Sequence, residues 1–106
     1  MSAIHITKEI GEGAGQYLAR VDGIDGQARI TFTILGADLI SADHTIAPES
    51  LRGTGAAAAL VAFMVADARE NRFRIVPVCP YVQAQYKRHP EWQDVMSVAP
   101  GVDPTA

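Results

Sequence analysis

Through the first half of the chain, hydrophobic and polar residues alternate with a period of two. Ile4, Ile6 and Ile10 alternate with His5, Thr7 and Glu9, the pattern of a strand with one buried face. A turn cluster, Gly11 to Gly15, leads to a second strand over Gln16 to Asp22, with Tyr17, Ala19 and Val21 on one side and Leu18 and Arg20 on the other. The Asp22-Gly23 and Asp25-Gly26 pairs mark a hairpin loop. A third strand follows, with Ala28, Ile30, Phe32 and Ile34 on one face and Arg29, Thr31, Thr33 and Leu35 on the other. After Gly36-Ala37-Asp38, Leu39 to Ile46 reads as strand four. Connections this short predict an antiparallel meander.

The pattern then changes. A helix is predicted from about Gly53 to Asn71, and Leu60, Val61, Phe63, Met64 and Val65 leave its first half without a polar stripe. Burial on more than one face is the expectation for such a helix. Phe73 to Val78 is predicted as a fifth strand, parallel to the fourth because a helix separates them. Pro77 cannot donate to a ladder, so this strand should be an edge or splay from its neighbour near its end. A second helix is expected from Cys79-Pro80 to about Arg88, with Pro80 at the tolerated first position. A short helical turn follows over Pro90 to Asp94, where Trp92 should cap the core. The expected class is α+β, in the order β-β-β-β-α-β-α, with a mostly antiparallel mixed sheet. Residues 1–96 are expected to form one domain, and residues 97–106 a frayed tail.

Composition narrows the partners. The chain has 106 residues, 48% hydrophobic and 20% charged, with a formal charge of −3. That is globular, and it argues against a general nucleic-acid binder, which needs a basic excess. A single cysteine excludes an internal disulfide and a Cys-rich zinc site, so no metal is expected. The longest apolar run, Ala56 to Ala66, is too short to span a bilayer, and no signal-peptide layout opens the chain. A soluble, cytoplasmic monomer or weak dimer is the expectation.

The candidate chemistry lies between His44 and Leu60, where a strand end passes through Arg52-Gly53-Thr54-Gly55 into a helix starting with four alanines. A helix N-terminus offers unsatisfied N–H groups and a positive dipole end, and glycines let an anion approach them closely. The same glycines could simply shape a turn, with Arg52 solvated.

Several spaced motifs resemble the GNAT acetyltransferase superfamily. Arg52, Gly55 and Ala57 match the defined positions of its Gln/Arg-x-x-Gly-x-Gly/Ala signature, and Ala84-Gln85-Tyr86-Lys87-Arg88 resembles its Ala-x-Tyr-x-Lys segment. Together with His44-Thr45, Pro77-Val78-Cys79 and His89-Pro90-Glu91-Trp92, these motifs are similar to a branch of very small, single-domain GNAT-like proteins with a cysteine in the acetyl-CoA cleft. The resemblance covers roughly Tyr17 to Val95. The chain lacks the helices that larger members place between strands one and two, and it has His89-Pro90-Glu91-Trp92 where they commonly have Gly-Phe. Both departures concern the acceptor side.

The resemblance implies an acetyl-CoA site and an N-acetyltransferase acting on a primary amine of a small molecule or protein. Backbone N–H groups of Arg52, Gly53, Thr54, Gly55, Ala56 and Ala57 would receive the coenzyme A pyrophosphate. The thioester would lie near Thr45 and Ile46, between strands four and five. Tyr86 would be the general acid, or else a tyrosine packed on the sheet. Cys79, at a helix start that favours a thiolate, is a nucleophile, a residue lining the site, or a small buried hydrophobe. His44 shares a side with Ile40, Ala42 and Ile46 and is expected to point inward, as a base or as a hydrogen-bonded structural histidine. Asp43 and Glu49 are expected to be solvated. Two rivals stand beside the enzyme: a coenzyme A-binding module with little turnover, and an interaction protein whose glycine turn is purely structural.

Overall fold

A computed structural model describes residues 3–105 of the chain. Four strands, β1 (Ile4–Ile10), β2 (Ala14–Val21), β3 (Ala28–Gly36) and β4 (Leu39–Ile46), form an antiparallel meander. Helix α1 (Ala56–Asn71) then crosses to β5 (Arg74–Pro77), which pairs parallel to β4 and completes a sheet of order β1-β2-β3-β4-β5. Helix α2 (Pro80–Arg88) and a 3₁₀ segment (Pro90–Val95) follow. This is the α+β architecture the periodicity predicts, with β5 at the edge.

One face of the meander carries the core. Tyr17, Ala19, Val21, Ala28, Ile30 and Phe32 are buried beneath Leu60, Val61, Met64 and Val65 of α1. Full burial of a side chain such as Leu60 stabilises by about 1.5–3 kcal/mol. The opposite face stays wet, because Arg20, Arg29 and Thr33 are exposed.

Burial of α1 on more than one face is not observed. Its buried residues recur at three- and four-residue spacing, while Ala62, Phe63 and Ala66 are exposed. The exposed side is apolar at Ala62, Phe63 and Ala66 and polar at Arg69, Glu70 and Asn71, and the high helix propensity of alanine accounts for part of the apolar stretch. The helix also begins later than predicted, because Gly55 sits in the left-handed region at φ 82°.

A polar clamp ties the far half of α1 to β1 and β2. Asp67 accepts hydrogen bonds from Lys8 Nζ at 2.7 Å, from the Tyr17 hydroxyl at 2.7 Å and from Asn71 at 2.6 Å. Burial alone would push the Asp67 carboxyl up, but these three donors overturn that and hold it below its ordinary value. Burial, reinforced by the carboxylate it bonds, pushes the Tyr17 hydroxyl up.

The C-terminal segment is sewn along β5. Trp92 is buried and stacks on His89 with ring centroids 4.4 Å apart. Met96 then pairs with Ile75, and the Ser97 N–H donates to the Ile75 carbonyl at 2.9 Å.

Candidate active site

β4 and β5 run together only as far as Ala42 opposite Pro77. Two local devices separate them there. On β5, the Val78 N–H turns back to the Val76 carbonyl at 2.9 Å, a three-residue turn centred on Pro77 that suits proline's fixed φ. On β4, the register against β3 shifts: Phe32 faces Ala42, Thr31 faces His44, and Asp43 is the extra residue of a bulge. The Asp43 carboxylate pins this bulge, accepting from Thr33 Oγ1 at 2.6 Å and Ser41 Oγ at 2.8 Å. Asp43 is therefore half-buried and engaged; Glu49 is exposed, as expected.

The bulge corrects the expectation for His44. Strict alternation would place it beside Ala42, facing inward. The extra residue shifts the phase by one, so His44 and Ile46 are exposed and Thr45 turns inward. Its cross-strand partner Thr31 lies on the wet face, and His44 shares that face.

Past the divergence, Cys79 bridges the two segments. The Cys79 N–H donates to the Ala42 carbonyl at 2.8 Å, and the buried Cys79 thiol lies 3.2 Å from Thr45 Oγ1. Cys79 is the N-cap of α2, with Pro80 at its first position. Gln83, one turn on, donates to the carbonyls of Pro77 at 3.0 Å and Val78 at 3.3 Å. Those carbonyls end β5, so Gln83 fixes the angle at which the chain leaves the sheet. Sequence reasoning passed over Gln83; a glutamine one turn inside a helix that directly follows a strand-ending proline was its signal.

The glycine turn lies between the end of β4 and α1. A 3₁₀ turn over Glu49–Leu51 precedes it. The Arg52 N–H donates to the Glu49 carbonyl at 3.0 Å, the Thr54 N–H to the Leu51 carbonyl at 3.2 Å, and the Ala56 N–H lies 3.3 Å from Thr54 Oγ1. These three amides are engaged by the turn itself. The N–H groups of Gly53, Gly55, Ala57 and Ala58 have no partner among the described residues. Gly53 and Gly55 both have positive φ, and a Cβ added at either would meet nothing within 4 Å. The space beside both glycines is therefore open. Arg52 is largely exposed, its guanidinium 3.6 Å from the Glu49 carboxylate.

Tyr86 is not brought to this place. It is buried, and its hydroxyl donates to the Val98 carbonyl at 2.8 Å. Burial also pushes this hydroxyl up. At 1.5 Å rise per residue, the helix alone separates Tyr86 from Cys79 by about 10 Å. Tyr86→Phe is expected to lower stability by about 1 kcal/mol, the net value of one hydrogen bond, and to leave ligand affinity unchanged; urea unfolding and calorimetry check the two halves.

Among the described residues there is no cluster of three metal-ligating side chains, and no helix is long and apolar enough to cross a membrane. The geometry brings Thr45 and Cys79 together where the strand pair parts, with the glycine turn following the end of β4 in the chain, His44 on the far face and Tyr86 tied to the C-terminal segment.

Comparison with known proteins bears on the family and the fold. No curated protein matches the sequence. The solution structure of a GCN5-like candidate N-acetyltransferase from Staphylococcus aureus is similar to the chain, with 27% identity and a TM-score of 0.64, covering 87% of this chain and 86% of that one. The family model described as GCN5-related N-acetyl-transferase matches residues 16–95, a span from β2 to the end of the 3₁₀ segment that contains the parted strands, the glycine turn and Cys79. On that match, the chain belongs to the GCN5-related N-acetyltransferase family.

Proposed function

We propose that the protein binds acetyl-CoA in the gap between β4 and β5 and transfers its acetyl group to a primary amine. The observation that carries this reading is the set of unengaged amides at Gly53, Gly55 and Ala57 at the start of α1, with open space beside the two glycines. An N-terminal turn with free N–H groups and no side-chain bulk suits a diphosphate. Acetyl-CoA is the cofactor of this family in general, and when bound it supplies an activated acyl carbon and a thiol leaving group.

The chain's own residues have distinct tasks in this reading. Gly53, Gly55 and Ala57 donate to phosphate oxygens, and Arg52 adds a mobile positive charge at the rim. Thr45 and Ile46 continue β4 beyond its partner and form one wall of the gap. Cys79 lies across from Thr45 and, with its thiol 3.2 Å from the Thr45 hydroxyl, forms the floor of the gap.

A second reading is favoured by a specific observation. His44 points away from the gap and the Tyr86 hydroxyl is engaged by Val98, so neither candidate proton carrier faces Thr45 and Cys79. A coenzyme A-binding module with little turnover fits this geometry. Calorimetry with acetyl-CoA, followed by thiol release against a panel of amines and proteins, tests both. Saturable binding with amine-dependent release supports the transferase. Binding with release no faster than hydrolysis supports the module, and no saturable heat removes both. Mass spectrometry after incubation decides the part played by Cys79: an added acetyl group in the wild type, absent from Cys79→Ala, makes it a nucleophile, whereas a fully active Cys79→Ala leaves it as lining.

A further inference from the structure

β1 is the first strand of the sheet order, with β2 on one side. The hydrogen-bond parity shows which of its backbone groups face outward. The Asp22 N–H donates to the Ala3 carbonyl and the Gly11 N–H to the Ala14 carbonyl; in the β1–β2 register these are odd-numbered positions of the first strand. Odd residues therefore bond to β2, and the N–H and C=O groups of Ile4, Ile6, Lys8 and Ile10 point away from the sheet.

The usual guard of such a rim is missing. Edge strands are commonly protected by a lysine projecting from them. Lys8 instead folds back over the core face, 2.7 Å from Asp67 and within 6 Å of the Tyr17, Phe32 and Phe73 ring centroids. Ile10, at the end of the strand, is 63% exposed.

The strand is also complementary to its own reverse. About Thr7, Ile4 mirrors Ile10, His5 mirrors Glu9, and Ile6 mirrors Lys8. We infer that β1 pairs antiparallel with β1 of a second copy of this chain, about a two-fold axis at Thr7, joining two sheets into one. In that register Ile4 faces Ile10, and Ile6 faces Lys8, all with outward backbone groups, so each pair exchanges both ladder hydrogen bonds. The apolar stem of Lys8 lies against Ile6. On the wet face, His5 meets the opposite chain's Glu9, an attraction at both ends of the strand. The exposed Ile10 gains an apolar neighbour. A register displaced by one residue would set inward-bonded groups against outward ones, so parity and charge select the same alignment.

The register makes a cross-linking test specific. Thr7 faces its own copy at a position without ladder bonds, where Cα atoms lie about 4.5 Å apart, within the span of a disulfide. In a Cys79→Ala background, Thr7→Cys should form a disulfide-linked dimer under mild oxidation, Glu9→Cys alone should not, and an equal mixture of His5→Cys and Glu9→Cys chains should. By sedimentation equilibrium the wild type should associate to twice the 11.3 kDa chain mass. Ile10→Glu and Ile6→Pro should each weaken that association by at least tenfold; proline at position 6 removes only an outward donor. Circular dichroism verifies that both variants fold. A wild type that stays monomeric at millimolar concentration overturns the inference. So do a dimer indifferent to both variants, a Thr7→Cys protein that folds without cross-linking, and an open series of larger oligomers, since a two-fold contact closes at two.

Discussion

Gly55→Glu is expected to weaken acetyl-CoA binding at least a hundredfold, as read by calorimetry. Two effects separate in this variant. The left-handed backbone at φ 82° costs any non-glycine residue about 1–2 kcal/mol of stability, and that cost is present with or without ligand. The effect on affinity has another source. The space beside Gly55 is open, and a glutamate there would place bulk and negative charge over the free amides. Loss of two hydrogen bonds to a charged group, at about 1.5–3 kcal/mol each, exceeds the 2.8 kcal/mol or so that corresponds to a hundredfold change. Gly55→Ala separates the two. It should lose similar stability and much less affinity, and equal affinity losses in the two variants would remove the phosphate cradle from the proposed mechanism.

The second large effect is on stability. Asp67→Ala is expected to lower unfolding free energy by about 2–3 kcal/mol, measured as the urea midpoint at constant slope. Tyr17 has no exposed surface, so its hydroxyl would be left without an acceptor at a cost of about 1–3 kcal/mol. Lys8 keeps 27% of its side chain exposed and can turn to water, so it adds little. A double-mutant cycle makes the mechanism visible: Tyr17→Phe should restore part of the loss in the Asp67→Ala background, because it removes the stranded hydroxyl. The clamp also has a pH signature. A carboxyl whose native value is lowered stabilises the fold fully above its ordinary value of 3.8, and that contribution is lost as the pH falls through the lowered native value. Asp67→Asn should flatten this part of the acid limb.

The meander was legible because β1, β2 and β3 keep a period of two, and β2 and β3 bury the residues that alternation selects from Tyr17 to Phe32; Ile10 of β1, selected by the same alternation, is exposed. Pro77 announced the parting of β5, since a missing N–H is a property of the residue itself. His44 shows where such reading ends. Its orientation depends on one extra residue, Asp43, held by Thr33 and Ser41, and periodicity carries no mark of where a bulge falls. Distance along the chain hid the rest. Thr45 and Cys79 are 34 positions apart, and their contact exists only because the crossover through α1 brings β5 alongside β4. Tyr86 matches a motif by spacing, yet the position of its hydroxyl is decided by Val98, a residue in a stretch with no pattern of its own.

The extra residue in β4 makes that strand behave like a reading frame. Upstream of Asp43 the even positions face the interior, and downstream the odd ones do, so an exchange of side chains away from Asp43, Thr33 and Ser41 leaves the frame intact. Removal of this one position would invert it: His44 and Ile46 would turn inward, and Thr45 would leave the sulfur for solvent. Replacement at most positions of β4 therefore keeps the wall of the gap, whereas a single insertion or deletion rewrites it in one step.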